Sequence, residues 1–409
     1  MSVTKVNVLI RFSTLEKLVG QLVVDGSRVL FKYSDQYLSG GKNISPLKLK
    51  FDNTIQVAPP TPFDHLYGVF ADSLPDAWGN LLLKRFLARN GKRNETLNTL
   101  ERLTFVSDNG LGALVYQPTN SNEYFTSKDL DLDTLFADTQ EVLKGESSDI
   151  IDRVFEHGGS PGGARPKIYA DYNPKNDTLI YGNPILKEGY EHWIVKFAAG
   201  IDGSDSAQIE MAYYHMALDA GIKMNKCRLF TGLSGKTYFG TKRFDRIGSK
   251  QLHMISAAGL LHDDYEHSQL DYGILIQEGG QLTGSAVTHE QLLRRAAFNI
   301  FAHNRDDHSK NFAFLMNEVG EWNLSPAYDL TFSSSSQGQH STTCAGNGNN
   351  PGDKELLSLA NHFSIRSGKQ IIDEVKSTVA HWNLYADKTN VPKSSRDAIM
   401  NVIRSLIGR

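Results

Sequence analysis

Apolar and polar residues alternate from Val6 to Phe12 and again from Gln21 to Tyr33, which predicts strands, the second folded into a hairpin at Asp25-Gly26-Ser27. Asp72-Ser73-Leu74-Pro75 reads as a helix opening, with Pro75 in the first turn where its missing N–H costs nothing. Trp78, Leu81, Leu82, Arg85 and Phe86 follow at helical spacing, and Asn90-Gly91 supplies a stop. Residues 121–157 are polar and acidic and read as a helix plus connector. Beyond them a glycine-rich turn leads into strands at Lys167–Ala170 and His192–Ala198, a helix over Ser206–Ala220 closed by Gly221, and a hairpin over Lys226–Asp245. From about residue 250 the apolar spacing turns helical, over Thr288–His303, Asp353–His362, Ser367–Trp382 and Lys393–Ile407. No repeat at a fixed period is present. A β-rich stretch followed by a helical one predicts an α+β chain of two lobes. The expected divisions are an N-terminal α/β subdomain over 1–120, a connector over 121–157, a β-rich lobe over 158–245 and a mainly helical lobe over 246–409.

Composition narrows the function classes. The chain has 409 residues, 43 Lys plus Arg against 46 Asp plus Glu, and a formal charge of −3, so no whole-protein basic field exists to hold nucleic acid or an anionic membrane. Hydrophobic residues at 40% and charged residues at 22% fit a globular chain rather than a disordered one. Cys227 and Cys344 are the only cysteines, which excludes a disulfide framework or a four-thiolate zinc site within one chain. No apolar run approaches the ~18–20 residues that span a bilayer, and Met1-Ser2-Val3-Thr4-Lys5 has no secretory pattern behind it. The expectation is a soluble, cytoplasmic protein with no membrane partner.

The segment His303-Asn304-Arg305-Asp306-Asp307-His308-Ser309-Lys310-Asn311 is highly polar, yet it lies between an apolar helix and the apolar strand Phe312–Leu315. Charged groups placed between core elements must be satisfied or functional, because unpaired burial costs several kcal/mol. A solvated turn is the plain alternative. Asp306 stands five positions before Asn311, the spacing at which a kinase catalytic loop places its proton acceptor and its Mg²⁺-binding Asn. Asp329 follows an apolar stretch at the place where a second metal carboxylate is needed, and an Asn–Asp oxygen pair suits octahedral Mg²⁺. A turn or capping role explains Asp329 taken alone equally well.

Upstream, Gly158-Gly159-Ser160-Pro161-Gly162-Gly163-Ala164 is rich enough in glycine to bring backbone N–H groups close to a phosphate, although it matches neither the Walker nor the Rossmann pattern. A flexible loop fits the same composition. Lys196, inside Trp193-Ile194-Val195-Lys196-Phe197, is either a snorkelling edge lysine or one that reaches ATP phosphates, with Glu210 on the next helix as its carboxylate partner. Glycine loop, strand lysine, helix glutamate, hairpin, helical lobe, D-x-x-x-x-N and then Asp is the order of a two-lobed protein-kinase-like fold that uses ATP and Mg²⁺.

At this point the chain resembles the HipA-like serine/threonine kinases, toxins of bacterial toxin–antitoxin modules. The likeness shows in Phe70 to Gly79 (FADSLPDAWG), in Ser160 to Lys167 against a Ser-x-x-Gly-Ala-x-x-Lys loop, in Arg243-Phe244-Asp245-Arg246 against the hinge, and in Asp306 to Phe312 against the D-x-H-x-K-N-F catalytic loop. The resemblance implies that Asp306 is the base, Asn311 and Asp329 hold Mg²⁺, and Lys196 contacts ATP phosphates under Gly162, Gly163 and Ala164. It implies further that the backbone of Lys242 and Phe244 meets the adenine, that Asp245 and His308 approach the ribose, that Lys310 supports the loop, and that Ser160 is autophosphorylated to switch the enzyme off. Lys242 departs from the family, where a Glu is common. The implied partners are a HipB-like DNA-binding antitoxin, with DNA reached only through it, and a protein substrate such as an aminoacyl-tRNA synthetase.

Two other classes remain beside this one. A phosphohydrolase would use His303, Asp306, Asp307 and His308 as transition-metal ligands, and a catalytically silent corepressor would use none of these groups. His262, His267, His340 and His362 read as surface or satisfied core histidines. The Ser-, Gly- and Asn-rich stretch Ser333–Asn350 sits where kinases place an activation segment, and its composition favours mobility over order, although a plain surface loop fits it too.

Overall fold

The computed structural model of the protein describes residues 3–89, 91, 97–106, 110–118, 130–145, 163–182, 186–199, 203–334 and 338–408. Two compact units divide the chain. One takes Met1–Ser204, Arg228–Ile255 and Met316–Gly320, and the other takes Asp205–Cys227, Ser256–Leu315 and Glu321–Arg409.

The first unit carries two five-stranded antiparallel sheets. The N-terminal sheet has β1 (Lys5–Arg11), β2 (Glu16–Asp25), β3 (Arg28–Tyr33), β4 (Gln56–Val57) and β5 (Leu114–Gln117) in the order β4-β3-β2-β1-β5. Alternation along β1 buries Val6, Val8 and Ile10 on one face. The hairpin closes with Asp25 opposite Arg28, and Gly26 adopts the left-handed φ of +61° that the tight turn demands.

The second sheet has β6 (Lys167–Asn173), β7 (Thr178–Tyr181), β8 (Glu191–Lys196), β9 (Cys227–Thr231) and β10 (Thr237–Lys242), in the order β7-β6-β8-β10-β9. Trp193 on β8 forms the centre of its core, edge-on to Tyr172 and Phe230 with ring centroids 5.6 Å from each. Helix Ala77–Arg89 adds Trp78 and Leu82 to this cluster, and helix Leu132–Lys144 adds Leu132, Leu135 and Val142. The helix inside the acidic 121–157 stretch is therefore a packed part of the unit. Asp131 caps its N-terminus and Gly145, at φ +97°, ends it. Helix Ala77–Arg89 starts two residues later than Pro75 suggests.

The second unit is mainly helical. Helix Ala286–Phe301 is its axis and packs against helices Tyr272–Thr283, Asp353–His362, Gly368–Ala380 and Lys393–Ile407. Leu292, Leu293, Ala296, Ala297 and Ile300 are buried along it. Helix Tyr272–Thr283 approaches closely at Gly279, where a Cβ would lie 2.9 Å from the Phe314 ring and 3.0 Å from Leu292. The helices expected at Asp353–His362 and Lys393–Ile407 have those bounds, whereas the run expected at Ser367–Trp382 breaks at His381 into two, Gly368–Ala380 and Trp382–Lys388. No helix among the described residues is long and apolar enough to cross a membrane. Both cysteines are buried free thiols.

Candidate active site

In the second unit the axial helix ends at Phe301, and the chain turns sharply because His303 takes a left-handed φ of +56°. The His303 ring lies 5.1 Å from that of Phe332. Burial, with Arg305 and His340 nearby, pushes its imidazole down to about 4, so it is neutral at neutral pH. The following turn exposes Asp306, whose side chain is 61% accessible. A single 3₁₀ turn, Ser309–Asn311, then brings the Asn311 amide back to donate to the Asp306 carbonyl at 2.7 Å. That bond fixes the side-chain amide and assigns its Oδ1 to any cation.

Asp329 belongs to the same structure. Tyr328 donates its hydroxyl to the Lys310 carbonyl at 2.6 Å, which ties the Asp329 segment to the residue beside Asn311. Ser333 pairs with this loop through Arg305 N–H to Ser333 O at 2.9 Å and Ser333 N–H to His303 O at 3.0 Å. Asp329 sits at φ +53°, a conformation an aspartate tolerates at a cost and that clusters at functional sites. His308 places Nε2 3.9 Å from Asp306 Oδ1, and its ring faces Tyr265 at 5.8 Å. The Lys310 ammonium lies 4.3 Å from the same tyrosine ring, a cation–π contact that orders the loop's other side. His308 and Asn311 thus contact Asp306, and Tyr328, the neighbour of Asp329, is bonded to Lys310.

Asp307 differs from its neighbour in every respect. It is 1% exposed and takes hydrogen bonds from Tyr272, His340, Ser341 and Thr342, so it is not available as a metal ligand. Among the described residues no group of three or more His, Cys, Asp or Glu side chains is placed to hold a metal. With Asp307 sealed and His303 buried, the transition-metal set of the phosphohydrolase reading does not assemble. His340 is a satisfied core histidine, as expected.

In the first unit, Lys196 ends β8 and stands directly opposite Lys167 of β6. Opposed residues of an antiparallel pair share a face, and two like charges there repel unless negative charge lies beside them. Lys196 also lies 5.4 Å from the Phe239 ring centroid. Lys167 is only 5% exposed, and a Cβ at Gly163 would come within 2.6 Å of its ammonium. Lys167, the last residue of the Ser-x-x-Gly-Ala-x-x-Lys pattern, thus opens a buried strand opposite Lys196. Gly163, at φ +100°, does not offer its N–H outward, because Asp76 accepts it at 2.6 Å. Ala164 is exposed. Ser160 and Gly162 lie outside the described residues. Glu210 is half-buried on helix Ser206–Asp219 of the second unit.

The hinge expectation needs one correction. Lys242 closes β10 with its ammonium 2.8 Å from Glu191 of β8, so its side chain serves that ion pair, and Phe244 is half-buried. Asp245 does not present a carboxylate to a ribose. It is 1% exposed, and its oxygens accept from Arg243 at 3.0 and 2.7 Å, Arg246 at 2.7 Å and the Gly112 N–H at 2.8 Å. Both guanidinium groups continue to the Gly110 carbonyl, at 2.8 Å each, and Arg246 also reaches that of Gly112 at 2.7 Å. Burial would raise the Asp245 pKa, but the two arginines win and hold it below the ordinary carboxylate range. The hinge charges therefore clasp the Gly110–Gly112 turn.

An α+β chain whose helical unit presents a D-x-x-x-x-N loop beside a strained aspartate defines a recognisable class. Residues 12–117 match the HipA N-terminal domain and residues 159–382 match the HipA-like C-terminal domain. The chain belongs to the HipA family. Among solved structures, the HipA of a Shewanella oneidensis MR-1 complex of HipA, HipB and operator DNA aligns with a TM-score of 0.70 at 15% identity, over 98% of this chain and 95% of that one. At that identity the match shows the fold. The Helicobacter pylori proinflammatory kinase CtkA aligns at a TM-score of 0.39 and 14% identity, over 58% of this chain and 91% of its own, too slight a likeness to carry weight. No curated protein matches the sequence.

Proposed function

We propose that the chain is an ATP- and Mg²⁺-dependent serine/threonine-protein kinase, the toxin of a cytoplasmic toxin–antitoxin pair. The observation that carries this reading is the loop in which an exposed Asp306, an Asn311 held by the Asp306 carbonyl and a left-handed Asp329 are joined through Tyr328. Asp306 accepts the proton of the substrate hydroxyl as it attacks, a role that needs an accessible carboxylate. Asn311 and Asp329 would supply oxygen ligands for Mg²⁺, whose positive charge would offset the negative charge of ATP phosphates. Lys196 and Lys167 are the proposed positive charges for ATP phosphates, and the Lys242–Phe244 backbone is the proposed contact for the adenine. Asp245 acts one step removed, through the hinge it braces. His308 screens Asp306 on one side, and Lys310 braces the loop against Tyr265.

Membership in the HipA family, together with the Shewanella complex, supports a HipB-like antitoxin as partner. At a net charge of −3 the chain reaches operator DNA only through that partner. Ser160 is the proposed autophosphorylation site, and a tRNA-charging enzyme is the proposed substrate class. The test is incubation of the purified chain with labelled Mg-ATP, alone and with a cell extract, beside Asp306→Gln. Label on protein in the wild-type lane only is the expected result. Released phosphate without labelled protein would favour the hydrolase, and neither product would favour the silent corepressor.

A further inference from the structure

Asp307 is a fully buried carboxylate one residue from the proposed base, and nothing in the phosphoryl-transfer chemistry uses it. Its Oδ2 accepts the Tyr272 hydroxyl at 2.7 Å and His340 Nδ1 at 2.9 Å. Its Oδ1 accepts the backbone N–H groups of Ser341 at 2.8 Å and Thr342 at 3.2 Å. Its carbonyl accepts the Thr342 hydroxyl at 2.5 Å. A single residue of the catalytic loop therefore gathers five donors, four of them from residues 340–342.

The two chains around it are joined in the same way. The Arg305 carbonyl accepts the N–H and hydroxyl of Ser341, and the Arg305 guanidinium donates to the carbonyls of Gly338 and Asn349. On the other side Tyr272 accepts from Asn299, which accepts from Asn304, closing a buried polar chain from the axial helix to Asp307. Composition alone favours mobility for Ser333–Asn350, yet its portion from 338 to 349 is held by this set of bonds. A buried network of this kind holds one geometry when every member is satisfied and fails sharply when one is removed.

We propose that Asp307 is the positioning residue of the catalytic loop: it ties the turn that carries Asp306 to the segment 338–349, so that the order of that segment sets the rate of phosphoryl transfer. This rests on the kinase reading above. The Asp306 side chain is 61% exposed, with His308 of its own loop beside it at 3.9 Å, so its direction depends on the backbone that Asp307 anchors. Displacing a catalytic group by about 1 Å costs on the order of 10²-fold in rate while leaving ground-state binding intact.

The test is Asp307→Asn in the full chain, which keeps the shape but turns an N–H₂ group toward donors. Phosphoryl transfer, Mg-ATP affinity and amide hydrogen exchange over residues 338–349 are read together. The expected result is a kcat lower by roughly 10–100-fold, an unchanged Mg-ATP affinity, and faster exchange confined to that segment. Tyr272→Phe and His340→Ala each remove one donor and leave the carboxylate, so smaller losses in kcat with the same exchange signature are expected even if Asp307→Asn does not fold. His340→Asn, which restores an N–H near the lost position, should recover part of the loss. Wild-type kcat in folded Asp307→Asn, or a lost kcat with wild-type exchange over 338–349, overturns the proposal. A wild-type chain that transfers no phosphate overturns the kinase reading and the rate clause with it, and the exchange measurement then still decides the tie.

Discussion

Replacing Asp245 separates two roles that one motif allows. If its carboxylate met the ribose, Asp245→Ala would weaken nucleotide binding and leave the fold alone. The geometry predicts the reverse. The side chain is 2% exposed and sits between Arg243 and Arg246, themselves 1% and 4% exposed. Its removal strands two guanidinium groups that share one carboxylate; burial and the neighbouring Arg243 already push Arg246 down to about 10. Breaking a buried ion pair by deleting one partner costs about 3–5 kcal/mol, mostly because the remaining charge stays buried. At about 2–4 °C per kcal/mol for domains of this size class, the first unit should lose roughly 6–20 °C.

The arginines also hold the Gly110–Gly112 turn, so exchange there should quicken in the same variant. The assay is thermal and urea unfolding beside nucleotide affinity in the cold, where the variant stays folded. The sign with pH follows from the depressed pKa. The stabilisation is complete above the unfolded carboxylate value of about 3.9 and is lost as pH falls below it. Acid should therefore erase the difference between wild type and Asp245→Ala. A variant as stable as wild type at neutral pH that has lost ATP affinity would refute the reasoning.

Three further outcomes follow from the site and the core. Asp306→Gln should reduce transfer by roughly 10²–10⁴-fold with no change in unfolding temperature, since the side chain is exposed; residual activity near wild type would remove it as the base. Asp329→Ala should weaken Mg-dependent ATP affinity as well as rate, because it removes a proposed metal ligand rather than a proton acceptor; calorimetry with and without Mg²⁺ checks it, and unchanged affinity would leave Asp329 as a turn residue. His253 is fully buried with Nε2 2.8 Å from the Ile44 carbonyl, and burial pushes it down to about 4. The unfolded chain takes up this proton below about 6.5 and the native one does not, so stability is full above that pH and falls by about 1.4 kcal/mol per unit toward pH 4. Urea midpoints of wild type and His253→Gln between pH 7.5 and 5 should diverge accordingly, and parallel lines would refute it.

The elements that show in the sequence are those whose burial is periodic. β1 alternates and helix Lys393–Ile407 carries its stripe, so both are placed to within a residue or two. β5 is buried at Leu114, Val115 and Tyr116 in succession, and a continuous run of that kind does not declare itself as a strand. Helix Tyr272–Thr283 is missed for a related reason. Its Gly-Gly pair reads as a break, and only the Phe314 and Leu292 side chains packed on it show why a helix needs glycine there. Periodicity reports which face is wet. It says little where both faces are dry.

The same physics explains which candidate residues were legible. Asp306 and Asn311 stand out because their spacing is a statement about one turn of backbone, and a local constraint survives in one dimension. Asp306, Asp307 and Asp245 are the same residue type in similarly polar stretches, yet one faces water and two are sealed. What seals Asp307 lies 33 to 35 residues further along and, at Tyr272, 35 residues earlier. What seals Asp245 includes Gly112, 133 residues away. A carboxylate declares itself as base or brace only through the donors that surround it, and those are brought by the fold. Charged residues in such a motif are therefore best sorted by hydrogen-bond saturation: the exposed Asp306 has the accessible carboxylate that the proposed chemistry requires, and the saturated Asp307 beside it is the one suited to the proposed positioning role.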